Sequence, residues 1–406
     1  MPGMNESLRL WFRLVPAYAV GYFLSYGLRS VNAVIAPELM QDLGITAAGL
    51  GMLTSAYFLA FGLFQLPLGL LLDRFGPRRV EAALLLVAAA GCALFAVGTS
   101  LQMLAVARAL IGLGVSACLM ASFKAFSQWF PVHRMPSLTA TIMVAGGLGA
   151  LTASVPVEAM LPLLGWRGVF WLVAALLVLA AGFLMTVPDK TGGGAGESFG
   201  QQIRTLRGIY GSRTFWRFAP QGSLTAGGFM AIQGLWAVPW LLEVNGATRG
   251  EAASVLLLMS LAMLVGFLFV ATCSVWLARR GITPMLLLTA GMGLALVVEL
   301  AIILDLAPAP WLWTLLGFSF SLGNIAYSQL TVTFPVALSG RVNTALNLLV
   351  FIGAFVLQWG IGAAVDTFVA HGMPRAGAFK QAFTVLLAAQ VLAFVWFLVP
   401  VKRLPD

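Results

Sequence analysis

Charged side chains are scarce in this chain: Asp, Glu, Lys and Arg make up 9% of its 406 residues, against 60% hydrophobic. A soluble domain carries about a quarter charged residues, so the medium around most of this chain is lipid. Cysteine is scarce too. Cys92, Cys118 and Cys273 fall in apolar runs with neither zinc-ligand spacing nor a disulfide framework, so no metal site and no cofactor is expected. The two histidines, His133 and His371, lie in separate loops; no nucleophile and base can be paired from them, which excludes an enzyme. The net charge of +9 is scattered through short loops rather than gathered in a patch, and this excludes a nucleic-acid partner.

What the sequence has instead is long apolar runs. A spanning helix needs roughly 20 mostly apolar residues, and the runs give about twelve. They cover 12–37, 48–72, 79–99, 102–130, 138–160, 168–188, 216–242, 251–278, 284–305, 310–334, 342–368 and 377–400. A membrane β-barrel would show segments of about ten residues with alternating polarity, and the run from Ala82 to Ala96 shows none. The first run carries Arg29 and no small-residue cleavage site follows it, so it is expected to stay in the mature chain.

Of the 23 Lys and Arg, Arg167, Arg249, Arg375 and Lys380 fall in loops on one side and Arg29, Arg108 and Lys124 within spans; all the others lie on the opposite side. That side is cytoplasmic by the positive-inside rule, with both termini and the central loop. The polar stretch 189–215, with its Gly-rich TGGGAGES, is a linker between an N-terminal six-helix bundle, 1–188, and a C-terminal one, 216–406. No Lys-Ser/Thr pair follows these glycines, so they are not a phosphate cradle. WFPVHRMPSLTATIMV and TFPVALSGRVNTALNLLV each introduce a helix expected to end at an acid, Glu158 or Asp366. The fold class expected is therefore an all-α membrane protein of twelve spans in two pseudo-symmetric bundles, with one substrate site at mid-membrane.

Gly69-Leu-Leu-Leu-Asp73-Arg74-Phe-Gly76-Pro77-Arg78-Arg79 resembles the G-x-x-x-D-R-x-G-R-R loop signature of the major facilitator superfamily. The resemblance implies a gating loop that stabilises the outward-open state. Gly69 would allow close helix approach, Asp73 would accept charge-assisted hydrogen bonds, and Arg74, Arg78 and Arg79 would hold the cytoplasmic face, with Gly76 a further residue of the gating loop. The counterpart Ala278-Arg279-Arg280-Gly281 lacks the acid. Arg108-Ala-Leu-Ile-Gly112-Leu-Gly114 resembles the family's R-x-x-x-G-x-G pattern, which links the arginine to structure and coupling. Exporters of the superfamily carry a Gly-Pro signature in the fifth span; Ala145-GGLGALTASVP has none at the expected place, so the resemblance implies import, across a bacterial inner membrane.

An arginine inside a span is a functional candidate by default. At about 100° per residue, Tyr18, Tyr22, Ser25, Tyr26, Arg29 and Asn32 share an arc of about 120° on the first helix. The stretch Tyr26 to Pro37 is similar to the first helix of the organophosphate and organic-anion branch, and the resemblance implies that Arg29 holds the substrate anion. A guanidinium pairs with carboxylate or phosphate in a bidentate way. Pairing of Arg29 with Glu38 is the competing structural role. Lys124 with Gln128 on the fourth helix is a second candidate, with snorkelling to the cytoplasm as its alternative. Further candidates are Gln233 and Trp236, with Gln221, Thr225 and Trp240, on the seventh helix, and Asn324 and Tyr327, with Ser321, Ser328 and Thr331, on the tenth. The fold implied by the resemblance lines its cavity with these helices.

Of the 14 acids, only Glu299 falls clearly inside a span, on the normally peripheral ninth helix. A cavity with cations and no carboxylate attracts anions and offers no obvious dedicated proton relay. Coupling then runs through a proton on the substrate itself, through exchange, or is absent. The expected partners are a small-molecule substrate, the bilayer and a coupling proton, with the protein a monomer. Two other readings compete. A copper importer would use Met259 and Met263, four residues apart, although no His lies in a span to complete a site. A non-transporting sensor on the same fold would be expected to carry an added soluble domain.

Overall fold

The computed structural model describes residues 4–131, 134–188, 199–335 and 338–399; His133, Lys190, the Gly-rich run 191–196, Lys402 and Arg403 lie outside the described residues. Among the described residues there is no strand. The helices are α1 (Met4–Leu43), α2 (Ala47–Phe75), α3 (Pro77–Val97), α4 (Leu101–Val115), α5 (Cys118–Trp129), α6 (Met135–Thr152), α7 (Val155–Met185), α8 (Phe199–Tyr210), α9 (Arg213–Gln221), α10 (Gly227–Ala231), α11 (Ala237–Glu243), α12 (Arg249–Arg279), α13 (Pro284–Ile303), α14 (Ala309–Gly323), α15 (Ile325–Thr331), α16 (Ser339–Ala370) and α17 (Arg375–Leu398). Two π-helical turns, Gly222–Ala226 and Ile232–Trp236, join α9, α10 and α11.

Eight helices among the described residues are long and apolar enough to cross a membrane, counting α4 and α5 together. Hydropathy marks more spans than this because several are interrupted or shortened. The run at 216–242 is broken by the two π turns, and that at 310–334 by a turn at Asn324. The fifth span, expected over 138–160, ends at Thr152. α7 begins at Val155 and holds the end of that expected span and most of the sixth, with a break at Gly165, where φ is +62°, between them. Glu158 therefore sits in the first turn of α7 rather than at a helix end, where a carboxylate faces the positive end of the helix dipole.

The chain forms two compact units: Met1–Ile35 with Ala56–Phe199, and Ala36–Ser55 with Gly200–Asp406. In the first, α3 packs along α4 and α7. Gly114 makes the α3–α4 approach possible, since a Cβ there would lie 2.4 Å from the Ala88 nitrogen. Phe95 and Phe170 meet across α3 and α7 with ring centroids 4.2 Å apart. In the second unit, α12 packs on α14, with Gly317 of α14 against the Met259 carbonyl. Phe229 and Phe320 stack at 3.8 Å, and Phe215, Phe218, Met292, Leu346 and Phe397 form a buried core. Polar contacts help to join residues 36–55 to the rest of this unit. Glu38 pairs with Arg249, the Asp366 carboxylate accepts from the amides of Ala47 (3.2 Å) and Ala48 (2.8 Å), and Gln358 donates to the Thr54 hydroxyl at 2.7 Å.

Candidate functional site

In the first unit, the polar face expected on α1 is turned inward. Tyr18, Tyr22, Ser25, Arg29 and Asn32 are all buried, and Tyr26 is half-buried. The Arg29 guanidinium carbon lies over the Tyr26 ring, 4.6 Å from its centroid, and over the Phe61 ring at 5.4 Å. Such cation–π contacts are attractive where water is excluded. The Tyr57 hydroxyl accepts a hydrogen bond from Arg29 and donates to the Ser25 carbonyl at 3.3 Å. The cation is thus held by α1 and α2 together. One turn beyond, the Asn32 amide is buried with neither nitrogen nor oxygen hydrogen-bonded among the described residues, a cost of about 1–3 kcal/mol that a bound ligand could offset. Glu38, the structural competitor for Arg29, is paired with Arg249.

Glycines bring the neighbouring helices up to this face. A Cβ on Gly146 of α6 would stand 2.6 Å from the Tyr22 ring, and one on Gly149 2.1 Å from the Phe23 carbonyl. Gly112 of α4 meets the Tyr57 carbonyl in the same way, at 2.2 Å. Arg108 is buried and donates to the Leu28 carbonyl at 3.1 Å, its guanidinium 4.9 Å from the Tyr57 ring centroid. The R-x-x-x-G-x-G pattern is thereby given a local meaning: the arginine ties α4 to α1, and the two glycines let α4 close on α2 and α3.

The loop motif is also tied into this unit. Asp73 forms an ion pair with Lys124 of α5. Arg78 donates to the Val187 carbonyl at 2.8 Å, beyond the end of α7, and Gly76 supplies the left-handed turn (φ 81°) before α3. Arg74 lies over the Phe75 ring, and Arg79 is exposed. Gly69 is exposed as well. Lys124 is therefore placed with the loop rather than with Arg29; Gln128 is half-buried one turn further along α5.

In the second unit the other candidates have hydrogen-bond partners of their own. Gln233 donates to Ser260 at 3.1 Å, and Trp236 to the Gln358 carbonyl at 2.9 Å. Asn324 donates to the Phe320 carbonyl at 3.3 Å, and Tyr327 to Asn347 at 3.0 Å. The Met263 sulfur lies 4.0 Å from the Gln233 amide nitrogen. Among the described residues no group of three His, Cys, Asp or Glu could hold a metal.

Three residues escaped the sequence reading. Tyr57 and Phe61 complete the shell around Arg29; the signal was there in the rarity of tyrosine, since four of the chain's six, Tyr18, Tyr22, Tyr26 and Tyr57, lie on the first two helices. Glu81 is the third. It sits at the beginning of an apolar run and so reads as an end-of-span acid, yet it is fully buried on α3.

A sequence model of the Major Facilitator Superfamily matches residues 18–358. The chain is similar to a probable sulfoacetate transporter of Cupriavidus necator, 26% identical over 191 residues, and to the hexuronate transporter of Escherichia coli K12, 29% over 166. These matches cover 46% and 41% of the chain but only 44% and 38% of the relatives, less than half of their length. Among solved structures, a bacterial homologue of the human lysosomal transporter Spinster, inward-facing and occupied, superimposes with a TM-score of 0.76 at 16% identity over 96% of both chains.

Proposed function

Because the chain belongs to the Major Facilitator Superfamily and is a multi-pass membrane protein, we propose that it imports a small organic anion across the bacterial inner membrane by alternating access. In this reading twelve spans form two six-helix bundles, 1–188 and 216–406, joined by 189–215, with both termini cytoplasmic. The observation that carries the anion reading is the setting of Arg29: a buried guanidinium between two aromatic rings, braced by Tyr57, with the unbonded amide of Asn32 one turn away. A planar cation in a site from which water is excluded selects a carboxylate, sulfonate or phosphate over a neutral solute. Sulfoacetate and hexuronate, the solutes named for the two relatives, are both carboxylates.

The test is thermal unfolding of the purified protein against sulfoacetate, glucuronate, aromatic carboxylates, phosphate esters and neutral sugars. An anion at about 100 times its dissociation constant stabilises the folded state by about 2.7 kcal/mol. The expected result is a raised midpoint with at least one anion in the wild type and none in Arg29→Ala, with Arg29→Lys recovering only part of it. Stabilisation by neutral solutes alone, or an equal response from Arg29→Ala, would overturn the proposal.

A further inference from the structure

We propose that Glu81 is a proton-binding group of this transporter, loaded and unloaded together with the anion at Arg29. The proposal rests on the anion reading above for its second ligand, but its own evidence is separate. Glu81 is 0% exposed, and among the described residues no N–H or O–H donor bonds either carboxyl oxygen; the weakly donating Cys118 thiol stands beside it. A carboxylate anion in that setting would be uncompensated in a membrane interior, which favours the neutral acid.

Its position supplies the connection. One Glu81 oxygen fills the notch left by the missing side chain of Gly21, since a Cβ there would stand 2.5 Å from it. The carboxyl is thus pressed against the backbone of α1 one residue before Tyr22. Arg29 lies eight residues further along the same helix, roughly 12 Å by the helical rise. On another side stands the Cys118 thiol of α5, the helix whose Lys124 holds Asp73.

The charged groups on the surrounding elements have partners elsewhere. Arg108 of α4 bonds the Leu28 carbonyl, Arg167 of α7 the Gly98 carbonyl, and Arg78 on the same helix the carbonyls of Met185 and Val187. Tyr22 follows Gly21 on α1, and the Cys118 thiol lies beside the notch. A shift of α1 would open the Gly21 notch and let water reach the acid. Proton binding is then simple: a carboxylate oxygen takes up a proton from water on the outer side to form the acid, and the same O–H bond breaks to return the proton to water on the cytoplasmic side. A negative charge placed at Arg29 favours the protonated acid. For two charges about 12 Å apart at an effective dielectric of about 20 such a coupling is about tenfold, and by linkage the proton favours the anion equally.

The experiment has two arms, each on the full-length protein in lipid. Infrared difference spectra of wild type, Glu81→Gln and Glu299→Gln are titrated across pH, with and without sulfoacetate and glucuronate. The expected result is a protonated-carboxyl band that disappears on titration and is missing only in Glu81→Gln. A band unchanged in Glu81→Gln, or one that persists at every pH with every anion, overturns the proposal. This arm needs no transported substrate, so it decides the question even if the anion reading fails.

The second arm measures proton-driven accumulation and exchange at equal concentrations in proteoliposomes, using whichever anion stabilises the wild type. Accumulation in Glu81→Gln should fall at least tenfold and exchange far less. Undiminished accumulation would overturn the proposal. Glu81→Asp, which keeps the acid, should recover accumulation in part, which a merely structural role for the longer side chain would not produce. Thermal midpoints show that each variant is folded.

Discussion

At the scale of single residues, the candidate site is one cation and the groups that make it tolerable. Arg29 was legible in the sequence because a charge within an apolar run stands out against its surroundings. Tyr57 was not, because a lone tyrosine on an apolar helix says nothing about what its hydroxyl meets. In the structure that hydroxyl takes a hydrogen bond from Arg29 and gives one to Ser25, so it sets the direction of the guanidinium. Tyr57→Phe should therefore weaken anion binding about five- to tenfold, as read by calorimetry, while lowering folding stability by only about 1 kcal/mol, the net worth of a hydrogen bond. Equal losses in both would mean that Tyr57 is structural only. Glu81 illustrates the opposite failure of sequence reading: its acidity was visible, but its burial depends on Gly21, sixty residues earlier in the sequence, and no local pattern reports that.

At the scale of helices, what holds the first unit together is backbone brought against backbone at glycines. Gly112, Gly114, Gly146 and Gly149 each face a neighbouring helix at a distance that leaves no room for a Cβ. The glycine-rich stretch at 145–149, which lacks the exporters' Gly-Pro, lets α6 lie against Tyr22 and Phe23. Gly112→Ala should be clearly destabilising, by about 1–3 kcal/mol, because the obstructing atom is the Tyr57 carbonyl, which cannot swing aside as a side chain can. Gly182→Ala in α7, where nothing lies within 4 Å, should be neutral or slightly stabilising, as alanine is the better helix former by about 1 kcal/mol. Thermal midpoints of the two variants in one detergent make the comparison, and equal midpoints would refute it. Hydropathy found the apolar runs and the gap that holds Gly165, but not the breaks at Ala153 and Asn324 or the π turns. Those depend on how each helix packs, and average apolarity does not register them.

At the scale of the whole molecule, the second unit takes in the end of α1 and the start of α2, and charge has a part in it. The basic residues Arg249, Arg375 and Lys380 are each paired with an acid, Glu38, Glu243 and Asp305. Asp366 places its carboxylate on the free amides at the start of α2, where the helix dipole favours a negative charge. Asp366→Ala should cost about 1 kcal/mol at that cap, and amide hydrogen exchange at Ala47–Gly51 should speed up about fivefold with little change elsewhere. Uniform acceleration over the whole chain would show instead a general loss of stability.

The sequence alone determined that the chain is helical and lives in lipid, and its motifs pointed to the superfamily and to Arg29. These follow from composition and short patterns, because solvation energy is nearly a sum over residues. Only the tertiary structure decided that Lys124 belongs to Asp73, that Tyr57 and Phe61 enclose Arg29, and that Glu81 is sealed against Gly21. A partner is chosen by geometry across helices far apart in the chain, and the free energy of an ion pair or a buried acid depends on that choice rather than on the residue itself.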